Sequence, residues 1–371
     1  FSKSNYSIQL DIGIQNLSSS PLTVNWPLTL GVQEFSSKDA DARYQDVAIG
    51  TKEKTIHIAP KKDIEFKGVN FLAMRDRYFA AIVSGQAELP AAFIKKISNQ
   101  AFEISLSAEP LIIPPGQSLQ QQFRIYLGPQ ELNTINAVNP EWSSLIHYGT
   151  FDFISQILLQ LLQFFYKLVH NWGLAIVILS VAVYFLLFPL TIKQMRSMKD
   201  MQALQPHIEE LKKMYKDNPQ KLQKEQMELF RKHKVNPFGG CLPLLLQMPI
   251  FFALYQTLMR CVFLKGAGFL WIKDLSNPDK LFAMPFPKPF DQFNLLPILM
   301  AIGMFIQQKF TTVPATSRST ADQQKIMLFM MPILFGFIFY SMPAGLVLYW
   351  FINSTLMLVN QIRQARTSQT K

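Results

Sequence analysis

The chain has 371 residues, 49% hydrophobic and 13% aromatic, with a net charge of +11. A positive mean hydropathy in so basic a chain argues against one soluble domain and for two or three units with several buried spans. Residues 1–150 hold 13 Lys/Arg against 14 Asp/Glu and residues 151–371 hold 23 against 11, so the basicity belongs to the second half, where it sets orientation across a bilayer.

Residues 1–140 read as β structure. Ile8, Leu10, Ile12 and Ile14 alternate with polar residues and Gly13, the period of a half-buried strand. Asn16-Leu17-Ser18-Ser19-Ser20-Pro21 reads as a turn and Thr23-Val24-Asn25-Trp26 as the start of the return strand. Alternation recurs at Phe102, Ile104 and Leu106, and Pro114-Pro115-Gly116 breaks the chain before Phe123–Leu127. Short strands with turn signals predict a β-sandwich. No catalytic constellation stands out in it, which leaves a scaffold or docking surface.

Phe151–Val169 carries one narrow polar stripe of Asp152, Ser155, Gln156, Gln160, Gln163 and Lys167. That pattern fits an amphipathic helix in the headgroup layer or the outer part of a longer span; Asn171-Trp172-Gly173 favours a break. A first span is predicted from about Trp172 to Ile192, with Pro189 tightening its exit. Lys193–Val235 then reads as a helical hairpin. Met195, Met198, Met201, Leu204, Ile208, Leu211 and Tyr215 form one apolar stripe, Pro206 kinks that helix, and Asp217-Asn218-Pro219 ends it. A shorter helix carries Leu222, Met227, Leu229 and Phe230. The hairpin holds 11 Lys/Arg against 6 Asp/Glu. Two readings of that charge stand: anchoring on anionic lipid, or docking of ribosomal RNA or a targeting factor through Lys212, Lys213, Lys216, Arg231 and Lys232. No motif for sequence-specific nucleic-acid binding is present.

Asn236-Pro237-Phe238-Gly239-Gly240 cannot continue a helix, and a second span follows at Leu242–Leu264. Further spans are predicted at Phe293–Gln308, Lys325–Ser341 and Leu346–Gln361, with an outer loop at 265–291 and an inner one at Phe310–Gln324. The inner segments 193–235, 309–325 and 361–371 hold 17 Lys/Arg and the outer loop 4. The hairpin and C-terminus are therefore expected in the cytoplasm and the β domain outside. Cys241 and Cys261 lie 20 residues apart on one predicted helix, roughly 30 Å and beyond disulfide reach. The histidines lack ligand spacing, so neither metal nor cofactor is expected.

Asn236-Pro237-x-Gly239-Gly240-Cys241-x-Pro243-x-x-x-Gln247-Met248-Pro249-Ile250-Phe251-x-Ala253-Leu254-Tyr255 resembles the signature of the YidC family of membrane protein insertases and their mitochondrial and chloroplast relatives. Further likeness lies in Tyr78-Phe79-Ala80-Ala81, Tyr126-Leu127-Gly128-Pro129, Tyr148-Gly149-x-x-x-Phe153-Ile154-Ser155, Trp271-Ile272-x-Asp274-Leu275, Gln323-Gln324-Lys325-Ile326-Met327 and Pro343-Ala344-Gly345-Leu346-Val347-Leu348-Tyr349-Trp350. The resemblance implies an insertase and chaperone rather than an enzyme. Its clients would be nascent membrane proteins, its partners the Sec translocon, the ribosome or signal-recognition machinery, and membrane lipid. It also implies a place in the bacterial inner membrane, with an anchor and part of the exported domain preceding Phe1. Aligned on the flanking motifs, Tyr184 falls where the family carries a functional arginine. A neutral phenol there cannot pair charge but can offer its hydroxyl to water or an amide.

The predicted spans carry no mid-membrane charge, and the chain has no Walker, His-Glu-x-x-His or Gly-x-Ser-x-Gly motif, which argues against pumps, ATPases and intramembrane proteases. They carry neutral polar groups instead. Ser180, Tyr184, Gln247, Tyr255, Gln256, Thr257, Asn353, Ser354 and Thr355 each cost about 2–7 kcal/mol if left unpaired in hydrocarbon, so they face one another or water. Helix-to-helix bonds and a hydrated groove open to the cytoplasm both satisfy this. On the groove reading Ser180, Tyr184, Gln247, Tyr255 and Asn353 line it, and Tyr349 with Trp350 touches the client. Nine methionines in or beside the spans fit ordinary packing or an adaptable client surface. The expected architecture is a β-sandwich at 1–145, an interfacial amphipathic helix at 146–170, and an all-α five-span core at 171–371 that includes the hairpin at 193–235. A small-solute transporter or channel, and a Sec assembly factor without insertase activity, are the alternatives.

Overall fold

A computed structural model of the chain describes residues 6–24, 27–35, 44–107, 111–146, 151–216, 218–233, 242–287, 289–311 and 318–369. The turn at Asn236–Cys241, the Tyr148-Gly149 motif, Asn25-Trp26 and residues 312–317 of the expected inner loop lie outside the described residues, as do the side chains of Met195, Met198 and Met201. Two compact units, Phe1–His147 and Tyr148–Lys371, divide the chain.

The first unit is built on β1 (Ser7–Gln15), β3 (Pro27–Glu34), β4 (Asp46–Gly50), β5 (Thr55–Ile58), β6 (Ile64–Arg75), β7 (Phe79–Lys96), β8 (Ala101–Ser107) and β10 (Ser118–Pro129), with a separate pair of β2 (Leu22–Val24) and β9 (Leu111–Ile113). The sandwich expectation holds in a coarser form: one eight-stranded antiparallel sheet curls over itself. The 18-residue β7 causes this. Its first half pairs β10 and its second half pairs β8, while a register shift opposite Val69/Phe71 interrupts its ladder with β6. Such an irregularity adds local twist. β3, carried by β8, ends close to β6, where the Gln33 amide donates to the Arg75 carbonyl at 2.7 Å. The alternating residues face inward as predicted: Phe102, Ile104 and Leu106 are buried with Val47, Ile49, Leu72, Val83 and Ile94.

The predicted return strand at Thr23 is corrected. β10 holds the edge of β1 from Ser7↔Tyr126 to Gln15↔Ser118, and Leu22–Val24 pairs Leu111–Ile113. Asn16 directs the chain there. Its buried amide donates to the carbonyls of Ile113 (2.7 Å) and Ser20 (2.8 Å), and its carbonyl accepts from the Ser18 backbone N–H (2.9 Å). After β10, α1 (Leu132–Val138) and a 3-10 turn at Pro140–Leu145 bring Trp142 into full burial against Tyr126.

The second unit is helical: α2 (Asp152–Val169), α3 (Trp172–Ala203), α4 (Gln205–Met214), α5 (Pro219–Lys232), α6 (Leu242–Arg260), α7 (Leu295–Thr311), α8 (Arg318–Tyr340) and α9 (Ala344–Gln369). α9 packs on α3, α6 and α7, α8 on α7, and α2 on α3 and α6. The break between α2 and α3 falls as read. His170 takes a left-handed backbone at the end of α2, and Asn171 caps α3 by accepting from the Leu174 N–H at 3.0 Å.

Several boundaries differ from expectation. α3 continues through Pro189 to Ala203, so the first apolar stretch and the start of the basic arm are one helix. Pro206 does not kink a continuous helix: the chain restarts at Gln205, placing Pro206 in a first turn, where a missing N–H costs nothing. α6 ends at Arg260, so Cys261 lies just past it, buried. Phe293 belongs to a short strand pair, and α7 starts at Leu295. α8 and α9 extend beyond the predicted 325–341 and 346–361 ranges. Among the described residues, Trp172–Ile192 and Ala344–Arg363 are long and apolar enough to cross a bilayer, and Leu295–Lys309 and Leu328–Tyr340 are shorter apolar helices.

Candidate functional site

Polar groups from α3 and α6 meet one stripe of α9. Tyr349, Asn353, Leu356 and Asn360 recur at steps of four, three and four, which puts them on one helical face. From α6, the Gln247 amide donates to the Tyr349 hydroxyl at 3.2 Å. From α3, the Tyr184 hydroxyl donates to the Leu356 carbonyl at 3.4 Å and is also bonded to the Asn360 side chain. Within α9 the Asn353 amide donates to the Tyr349 carbonyl at 3.0 Å.

Exposure divides the predicted residues. Tyr349 is fully buried and Tyr184 is 6% exposed, whereas Gln247 and Asn353 are half-buried. Ser180 is not brought to this stripe by a bond. It is fully buried, and its hydroxyl donates to Ile176 O at 2.7 Å in its own helix. Tyr255 is half-buried with its ring 6.3 Å from that of Phe251. Trp350 lies in an aromatic cluster with Phe251 (5.2 Å), Phe339 (5.4 Å) and Phe335 (5.7 Å), joining α6, α8 and α9.

Three contributors escaped the sequence reading. Asn360 is one; the seven-residue step from Asn353, two turns along the same face past Leu356, could have pointed to it. Gln307 of α7 is a second, donating to Met357 Sδ at 3.7 Å on α9. The third is Ser155, one member of the narrow polar stripe of α2. It is fully buried, its hydroxyl donates to Ala253 O at 3.1 Å, and its carbonyl accepts from Thr257 Oγ1 at 3.1 Å. The exposed surface of α2 includes Gln160 and Lys167 of that stripe but is largely apolar, with Phe153, Ile157, Leu161, Phe164 and Leu168 exposed.

Four of the five docking candidates of the arm fall at helix ends. Lys212 and Lys213 close α4 and Arg231 and Lys232 close α5, favourable positions against the helix dipole. Lys213, Lys216, Arg231 and Lys232 are exposed and Lys212 half-buried. Leu204 and Ile208 are buried as predicted, but Met227 is 54% exposed and α5 buries no residue. No His/Cys/Asp/Glu cluster of metal-binding size occurs among the described residues.

A curled β unit followed by a unit of apolar helices, whose uncharged polar side chains pair from helix to helix, defines a two-unit protein with helices long and apolar enough to cross a bilayer. Residues 1–161 match the family described as "YidC periplasmic domain" and residues 164–371 the family described as "60Kd inner membrane protein". The chain is 36% identical to the "Membrane protein insertase YidC" of Geotalea daltonii, over 97% of this chain and 66% of that protein. It is 36% identical to that of Pelobacter propionicus, over 98% and 67%, and 39% identical to that of Magnetococcus marinus, over 81% and 52%. The chain thus belongs to the YidC family, and it spans about two thirds of the length of the first two of these relatives.

Proposed function

We propose that this chain inserts nascent membrane proteins into the bacterial inner membrane, alone or with the Sec translocon, and acts as their chaperone rather than as an enzyme. The convergence of side chains from α3 and α6 on one polar stripe of α9 carries this reading. Paired with one another, Tyr184, Gln247, Tyr349 and Asn353 are stable in an apolar surround. Parted by an entering polar segment, the same groups replace its lost hydration, which lowers the barrier to crossing. Gln247 and Asn353, the half-buried members, form the entrance; Tyr349 and Trp350 meet the client once the stripe has opened.

In this reading α3, α6, α7, α8 and α9 are five spans, and α2 lies at the interface with its apolar face in lipid. The charge distribution supports a cytoplasmic arm and C-terminus and an external β domain. α4 and α5 form a hairpin that receives ribosome, targeting factor or nascent chain through Lys212, Lys213, Lys216, Arg231 and Lys232. The test is photo-cross-linking from positions 247 and 353 to a stalled nascent membrane protein in reconstituted vesicles, with insertion measured alongside. Adducts at both positions, lost when the client is replaced by a soluble chain, are expected. Absence of adducts while insertion proceeds excludes this stripe as the path.

A further inference from the structure

We propose that the open end of the curled β sheet captures an extended polypeptide segment presenting an apolar side chain beside a lysine or arginine. The inference stands apart from the insertase reading, since it concerns only the β unit.

A cavity of about 480 Å³ opens where the ends of β3, β6, β7 and β10 come together, a size ordinary for ligand sites, which run to roughly 300–1,000 Å³. Its walls are mainly apolar. Tyr6, Val32, Phe79 and Leu127 line it, exposed by 52%, 55%, 43% and 49%. Four large apolar side chains around one concavity are more than scattered surface residues account for.

The polar part of the lining is one-sided. Gln33 is 8% exposed; its amide is spent on the Arg75 carbonyl, and its Oε1 is buried without a hydrogen-bond partner. Gln45 Oε1, also in the lining, is buried and unpartnered too. Glu34 adds an exposed carboxylate, and Asp76 a second whose Oδ1 already accepts from the Tyr78 and Phe79 backbone N–H groups at 2.7 and 2.6 Å. Arg75, the one cation among the lining residues, is withdrawn: its guanidinium holds Asp46 through two 2.8 Å bonds and also donates to the Leu145 carbonyl. Unsatisfied buried acceptors cost stability, so the occupant must bring donors. Anionic headgroups and nucleic acid bring acceptors and negative charge, and both are disfavoured beside Glu34 and Asp76. An extended polypeptide brings backbone N–H groups, an apolar side chain and, with Lys or Arg, a complementary charge.

The probe is a fluorescent dodecapeptide of alternating Leu and Lys, offered to the full chain in nanodiscs of zwitterionic lipid, with empty discs as the blank. Saturable binding is expected, weakened by about tenfold or more for a Leu/Glu peptide of the same length. The doubly substituted Val32→Lys, Leu127→Lys protein, altered only at exposed positions, should weaken it by a similar factor. Gln45→Leu, which removes one orphan acceptor, should also bind less tightly while melting at an unchanged or higher temperature. Equal binding of the two peptides, or undiminished binding by the double variant with its melting temperature intact, overturns the proposal. So does displacement of the peptide by a fluorescent fatty acid, which would mark a lipid site instead.

Discussion

Tyr349 combines full burial with a polar contact to another helix, to Gln247 102 residues earlier in sequence. In an apolar surround such a pair contributes about 0.6 kcal/mol on average and up to about 1.7, because the unpaired groups find other partners. A double-mutant cycle with Tyr349→Phe and Gln247→Leu, read by thermal unfolding in detergent, should give coupling of that order. Coupling near zero would mean the bond does not form in the micelle.

Arg75 is the β unit's counterpart. Burial pushes the Asp46 carboxyl up, but the bond to His57 and the charge and bonds of Arg75 outweigh it and hold the group below the ordinary carboxylate value. A depressed folded-state pKa stabilises above the unfolded value, about 3.9 for Asp, and that contribution is lost as pH falls through the folded pKa. Arg75→Met strands a buried charge and should destabilise the β unit by about 3–5 kcal/mol at neutral pH. The loss should shrink on acidification toward pH 3, as Asp46 takes up a proton. Thermal scans of both proteins from pH 3 to 7 check the sign.

At the scale of elements, helix packing depends on where side chains are missing. A Cβ on Gly173 would fall 2.1 Å from the Phe269 ring, so the first turn of α3 touches the loop after α6 only because residue 173 has none. Gly173→Ala should cost about 1–3 kcal/mol by overpacking. Adding Phe269→Ala should recover part of that loss in the melting temperature in detergent. Trp172, stacked between Tyr166 at 4.0 Å and Phe263 at 5.3 Å, fixes the same corner. The loop is held in turn by Asp279, which is 2% exposed and accepts from the Leu296 N–H at 2.7 Å at the start of α7 and from the Trp271 indole at 3.2 Å.

For the whole molecule, 17 Lys/Arg in the segments 193–235, 309–325 and 361–371 against 4 in 265–291 predict a single orientation. Reporter fusions after Lys216 and Lys371 should be active only as cytoplasmic reporters, and a fusion after Lys280 only as an external one. Activity of the opposite kind at any of the three would overturn the proposed orientation or the proposed five spans.

What local pattern can encode was legible beforehand. The alternation at Ile8–Ile14 and Phe102–Leu106 marked strands, Asn171-Trp172-Gly173 a helix break, and the apolar runs the span candidates, because each depends on neighbours within a few residues. The family signature at 236–255 was equally local. Strand partners were not legible. The return strand expected near Thr23 went to Ile113 because Asn16 bonds a carbonyl 97 residues away. Periodicity placed Ser155 in a polar stripe without saying that the Ala253 carbonyl waits opposite it. The sequence alone therefore determined the order of β unit and apolar helices, their charge asymmetry and the family. Tertiary structure decided which neutral polar groups meet, that Tyr349 is sealed while Gln247 and Asn353 remain accessible, and that Arg75 is withdrawn from an acceptor-lined cavity. Those outcomes depend on contacts between segments far apart in the chain, and hydropathy and spacing carry no information about such distances.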